Sequence, residues 1–268
     1  MHRWIAVACL VLCSVSFTTA AQSWRQSAAD ELVSVASDRR LLLLGEMHGT
    51  QEVPLLVGDV VERWSRTGPL LLALEIHASE HESLGAYLRG DGSPAQRDAL
   101  RKRPYWSVPA SRNDGRRSED MLDLVEQVRR LRALGRDVAI LPFDVANGVS
   151  GGAEWRDRTM AASLRRAWEA LPRGRMVVLA GNVHAMRQRP AYAPPQMQTP
   201  MGVYLQDLRP YSIEIGAQAG EYWACPANGC GPQAVAPGMT GGRLDEAEAF
   251  HYRTVLPRFT PARPVATE

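Results

Sequence analysis

The sequence predicts an α/β protein with a mostly parallel central sheet flanked by helices and a polar site at the carboxyl ends of the strands. Two observations carry this expectation. Short unbroken apolar runs alternate with amphipathic segments, the pattern of buried parallel strands joined by right-handed helical crossovers. Four of those runs also end on an acid or a histidine. Leu41–Leu44 leads into Gly45-Glu46-Met47-His48-Gly49, and Leu70–Leu74 leads into Glu75-Ile76-His77. Val138–Leu141 leads into Pro142-Phe143-Asp144, and Met176–Ala180 into Gly181-Asn182-Val183-His184. Parallel sheets place their chemistry at the strands' carboxyl ends, so these groups are expected to share one site.

Taken in order, residues 1–20 have the layout of a secretory signal peptide: Arg3, an apolar stretch from Ile5 to Phe17, and the small residues Thr18-Thr19-Ala20. That stretch is shorter than the roughly 20 apolar residues of a membrane span. The protein is therefore expected to be exported, periplasmic or secreted, with no span left once the signal is removed. Ser27–Ser37 reads as a first helix and Glu52–Trp64 as a second, with Val53, Leu56, Val57, Val60, Val61 and Trp64 on one face. Ser79 and Glu82 have capping-box spacing before Leu84, Tyr87 and Leu88. Lys102–Arg117 is broken by Pro104, Pro109 and Asn113-Asp114-Gly115, and reads as an irregular wall or lid over the site. Helices follow from Ser118 to Leu134 and from Glu154 to Leu171, with the third and fourth strands after them. Tyr211–Gly216 and Tyr252–Leu256 read as later strands. One domain, residues 21–256, accounts for all of this, and 257–268 is expected to be a flexible tail.

Of the four cysteines, Cys9 and Cys13 fall in the signal, leaving Cys225 and Cys230 as a disulfide suited to an oxidising compartment. The formal net charge of +2 argues against nucleic acid as a partner. There is no G-x-S-x-G elbow, P-loop or G-x-G-x-x-G, which removes support for serine-esterase, nucleotide-hydrolysing and dinucleotide chemistry.

The candidate site residues follow from residue type. A buried strand has no need to end on Glu46, because Glu is rarely buried without a partner. With His48 two positions on, the pair fits a carboxylate-oriented general base or a divalent metal site. Glu75 repeats the pattern in what reads as the neighbouring strand. Two carboxylates at equal depth need something between them: a metal, a histidinium, an arginine or a shared proton. Asn182 and His184 bring a further polar end, and Asp144 another. Arg156, at a helix start, and Arg112, in the insert, are candidate clamps for a substrate anion. His77-Ala78-Ser79-Glu80-His81 matches an inverted zinc-protease pattern, but His77 precedes the helix and the two histidines cannot share one helical face.

With these residues in view, the chain resembles the superfamily that contains ChaN-type haem-binding proteins, TIKI/TraB-type proteins and erythromycin esterases. The resemblance rests on Leu43-Leu44-Gly45-Glu46-Met47-His48-Gly49-Thr50, Ala73-Leu74-Glu75, Arg156-Asp157-Arg158-Thr159-Met160-Ala161 and Gly181-Asn182-Val183-His184, and spans Leu41 to Ala185. It implies an α/β fold with His48 as base, Glu46 and Glu75 orienting it or binding metal, and His184 completing the site. A metal, if present, would be held by Glu46, His48 and His184. The insert before Met121 and the late cysteine pair depart from the ChaN pattern. The expected function is an exported hydrolase that activates water against an ester or amide bond in a small molecule or peptide, with or without a divalent metal. The alternative is a ChaN-like haem- or iron-binding protein without catalysis.

Overall fold

The computed structural model describes residues 24–145 and 152–266, so the expected signal peptide lies outside the described residues. Residues 24–35 form helix α1. Strand β1 (Leu41–Glu46), α2 (Glu52–Trp64), β2 (Leu70–His77), α3 (His81–Arg89), α4 (Pro94–Arg101) and α5 (Glu119–Ala133) follow. Then come β3 (Val138–Asp144), α6 (Gly152–Glu169), β4 (Arg175–Gly181), the single turn α7 (Asn182–Ala185) and a 3-10 helix, Met201–Leu208. The chain closes with β5 (Tyr211–Ala217), β6 (Glu221–Ala224), β7 (Gly231–Ala234), β8 (Gly242–Arg243) and β9 (Tyr252–Leu256). The main sheet has seven strands in the order β3-β2-β4-β1-β5-β9-β8. All of its pairings are parallel except β8 with β9.

Both faces of the sheet are covered, and the strand sequences show why. Side chains alternate across a strand, so Leu42 and Leu44 enter one core with residues of α1, α2, α3 and α5. Leu41 and Leu43 enter a second core with Met160 and Leu164 of α6, and Met201 and Leu205 of the 3-10 helix. A strand wetted on neither face needs apolar side chains along almost its whole length, as β1 and β4 both show. Each such side chain stabilises the fold by roughly 1.5–3 kcal/mol relative to exposure. Among the described residues, no helix is long and apolar enough to cross a membrane.

Three local expectations are corrected. The capping box does not form: a 3-10 turn, Ala78–Glu80, precedes α3, and Ser79 Oγ lies 3.1 Å from His77 Nδ1 instead. Helix α4 was not foreseen, because only Leu100 of its residues is buried and it carries no apolar stripe. The segment after β9 is packed rather than frayed. Phe259 and Ala262 are buried, Glu119 N–H donates to Arg263 O at 2.8 Å, and the Arg263 guanidinium pairs with Asp120 at 2.7 Å. Outside the main sheet, β6 and β7 form an antiparallel hairpin closed by the Cys225–Cys230 disulfide, which forms as the sequence suggests.

Candidate active site

Strand register sets the site. β4 lies between β1 and β2, and Glu46 pairs with Gly181 across the β1–β4 ladder. Glu46 and Glu75 are thus two strands apart rather than on neighbours, with a glycine at the strand between. The His48 side chain crosses over that glycine. Its Nδ1 is 2.9 Å from Glu46 Oε1 and its Nε2 is 3.5 Å from Glu75 Oε2. A Cβ on Gly181 would lie only 2.9 Å from His48 Nε2. Gly181→Ala is therefore expected to displace the imidazole from between the two carboxylates and lower the His48 pKa, with less than about 2 kcal/mol lost in urea denaturation. An NMR titration that leaves His48 unchanged in this variant would mean the imidazole has not moved.

Glu75 is the hub, and its oxygens are fully engaged. Oε2 accepts the Gly181 N–H at 2.7 Å. Oε1 accepts from Arg116 Nη1 at 2.7 Å and Arg156 Nη2 at 2.6 Å. Both arginines also reach Asp144 at the end of β3, Arg156 through Nε at 2.8 Å and Arg116 through Nη1 at 3.2 Å. His184 stands behind Arg156. Its Nε2 lies 2.7 Å from Arg156 Nη1 and its Nδ1 lies 2.7 Å from Asp157 Oδ1. A guanidinium only donates, so Nε2 is the acceptor and Nδ1 carries the hydrogen to Asp157. His184 therefore positions Arg156.

Burial pushes the Glu46 carboxyl up, against the pull of His48. Burial would raise Glu75 too, but the charges of His48 and Arg116 outweigh it and hold Glu75 well below the usual carboxylate range. For His48, burial acts to lower the value, yet the Glu75 charge and the hydrogen bonds to Glu46 and Glu75 win and raise it to about 9. The imidazole is thus charged at neutral pH. Because this folded value exceeds the ordinary 6.5, its stabilisation is complete below pH 6.5 and lost as pH rises toward 9. Unfolding free energies from urea denaturation, measured from pH 6 to 10, should fall over that window by an amount on the order of 1–3 kcal/mol. A His48→Gln chain should lack that fall, and a wild-type curve flat across the window would contradict the raised value.

The cluster opens on a cavity of about 370 Å³ whose lining includes Met47, His48, Asp114, Asn182, Tyr222 and Trp223. The insert and the hairpin meet the Gly49 turn there. Gly49 has φ 80°, and a Cβ on it would collide with the Trp223 carbonyl. Trp223 N–H donates to Gly49 O at 2.7 Å, and its indole N–H donates to Asn113 O at 2.7 Å. Buried Asn113 shapes the loop by donating to Arg117 O and accepting from Gly115 N–H. That loop delivers Asp114 and Arg116. Asp114 is held down at about 2: burial works against this, and Arg116 overcomes it.

Of the residues singled out in the sequence, Glu46, His48, Glu75, Asp144, Arg156, Asn182 and His184 converge. Arg112 does not: it is exposed at the end of a 3-10 turn, and Arg116, four residues on, occupies the site instead. His77 faces away, stacked on Tyr105, and His81 is exposed. Tyr105 and Trp106 of the insert are core residues rather than lid residues. Sequence reasoning missed Arg116, Asp114 and the cavity wall of Tyr222 and Trp223, and noted Asp157 only beside Arg156 in the Arg156–Ala161 element. The available signal for Arg116 was the need for a cation among strand-end carboxylates.

The donor set decides whether the site suits a divalent metal or a haem. Glu75 is shared by two guanidiniums and a backbone N–H, and both ring nitrogens of His184 are engaged. His48 faces a carboxylate at each nitrogen. The lone pairs of Glu75 and His184 are committed, so His184 is not free to ligate a divalent metal or a haem iron beside Glu46 and His48, and the arginines already balance the carboxylate charge. Among the described residues, no group of three His, Cys, Asp or Glu side chains is arranged to hold a metal. Glu46, His48 and His184 do not suit either group.

No family model matches the chain, and no curated protein matches it in sequence. Solved structures do match. An erythromycin esterase, EreC, in an open conformation superposes with a TM-score of 0.67 at 12% identity, over 88% of this chain and 95% of that one. A succinoglycan biosynthesis protein matches with a TM-score of 0.64 at 10% identity, over 87% and 91%. A Bacillus cereus protein matches with a TM-score of 0.61 at 14% identity, over 84% and 90%. The expected resemblance to the erythromycin esterases is borne out at the level of the fold, which the chain shares over most of its length.

Proposed function

We propose that this protein is an exported hydrolase that activates water at His48, without a metal, to cleave an ester or amide bond in a small molecule or peptide. The observation that carries the reading is the imidazole held between Glu46 and Glu75 at the mouth of the cavity. Glu46 keeps the Nδ1–H in place, and Nε2, once neutral, takes a proton from water as the water oxygen bonds to the substrate carbonyl carbon. The imidazolium so formed lies beside the Glu75 carboxylate, which stabilises it, and its proton then passes to the departing alcohol or amine as the carbonyl–heteroatom bond breaks. Glu75 itself is too firmly held by Arg116, Arg156 and the Gly181 N–H to act as base. Asn182 Oδ1 accepts the Val183 N–H at 2.8 Å, which leaves its amide NH₂ to meet the developing oxyanion. The fold shared with an esterase supports hydrolysis, and the Cys225–Cys230 disulfide supports an oxidising destination.

The test is a panel of activated esters, lactones and short peptides assayed across pH with a chelator present. A base that must first lose its proton gives kcat/KM rising with pH through a midpoint near 9 and levelling off above it. Activity that disappears with the chelator would remove the metal-free step. A rate that falls through the same pH range would remove His48 as base.

A further inference from the structure

At the opposite ends of the same strands lies a second cavity of about 430 Å³, open to solvent and lined in part by Arg40, Trp64, Pro69, Arg173 and Arg175. Arg40 immediately precedes β1, Pro69 precedes β2, and Arg173 and Arg175 bracket the start of β4. These strands are adjacent in the sheet, so their shared ends bring the three arginines to the lining of this one groove. Among the described residues none of the three has a carboxylate at ion-pair distance, unlike Arg116 and Arg156 in the catalytic cluster. Three like charges at one groove repel each other until an anion joins them.

Two of these arginines are already oriented. The Arg40 guanidinium lies 4.6 Å from the Trp168 ring centroid, and that of Arg175 lies 4.7 Å from Trp64. Arg40 donates through Nε and Nη2 to Gly174 O and Leu171 O, and Arg175 through Nη2 to Ser37 O. Stacking and carbonyl bonds fix the planes, which removes most of the rotamer entropy that an arginine loses on capturing a ligand. Arg40 keeps Nη1, and Arg175 keeps Nε and Nη1, for an outside acceptor. Arg173 is exposed, with no side-chain partner among the described residues. The buried Trp64 indole N–H likewise has no acceptor. A groove rich in planar donors and without a counter-charge has the chemistry of phosphate recognition.

We infer that this groove, remote from the catalytic cluster, binds an oxyanion of the phosphate class, carried by a small solute or by the headgroup of an anionic lipid. Intrinsic tryptophan fluorescence and calorimetry with inorganic phosphate and pyrophosphate, against chloride at equal ionic strength, test the first source. Co-sedimentation with phosphatidylglycerol vesicles, against neutral vesicles, tests the second. The exposed Arg173→Glu should weaken whichever interaction occurs by at least about tenfold while leaving ester or amide turnover unchanged. Saturable phosphate or pyrophosphate binding with that sensitivity supports the solute. Vesicle binding with the same sensitivity supports the headgroup. No saturable response to any of the three probes overturns the inference, as does binding undiminished by both Arg173→Glu and Arg175→Met.

Discussion

His48→Gln is expected to lower kcat/KM by about 10²–10⁴-fold, the range a positioned general base supplies. The fold should remain intact. Glutamine can still hydrogen-bond Glu46, and the ring it replaces is only partly buried at the cavity mouth. Two readouts separate loss of a base from loss of structure. Far-UV circular dichroism should be unchanged, and the difference in stability from wild type should shrink as pH rises through 9, where wild-type His48 itself loses its charge. Turnover within a factor of a few of wild type would show that another group takes the proton. Glu46 would then be the group to examine, because burial raises it.

Glu75→Gln should have the larger effect on stability. The side chain is 6% exposed and meets Arg116, Arg156, His48 and the Gly181 N–H. Removing one partner of a buried charged set costs about 3–5 kcal/mol, because the remaining charges stay buried without compensation. Here Asp144 and Asp114 still balance the arginines, so the lower end of that range is expected. The change also carries a signature that simple destabilisation lacks. The Glu75 charge is the largest influence raising His48. Without it, the rising limb of the pH–rate profile should move toward lower pH while the maximal rate falls. A profile that keeps its midpoint in a folded Glu75→Gln protein would mean that the two groups are not coupled.

How far the sequence could be read depended on the kind of information each feature needs. The buried strands announced themselves because burial on both faces demands Leu41-Leu42-Leu43-Leu44 and its counterparts, and Glu46, Glu75, Asp144 and His184 were visible as polar ends to apolar runs. Strand order was not visible. Nothing local in Met176–Ala180 says that it inserts between the strands ending at Glu46 and Glu75, yet that insertion explains why position 181 is glycine and why a histidine spans the gap. Arg116 was hidden for a similar reason. Its loop is shaped by Asn113 and sealed by Trp223, a contact more than a hundred residues away in the chain. Helix α4 lacked an apolar stripe, and the run after β9 looked like a tail because one buried phenylalanine among prolines gives no period.

That last run has a kinetic consequence. Ala262 N–H donates to Gly49 O, and Gln51 N–H donates to Thr260 O, so the turn carrying His48 is closed by residues more than two hundred positions downstream. The paired core of β1, β2 and β4 can collapse from the first two-thirds of the sequence, but its chemistry waits for that distant closure. Contacts of such long range form late and open early. Amide exchange should therefore find the Gly49–Gln51 segment opening at a lower free energy than β1 beside it.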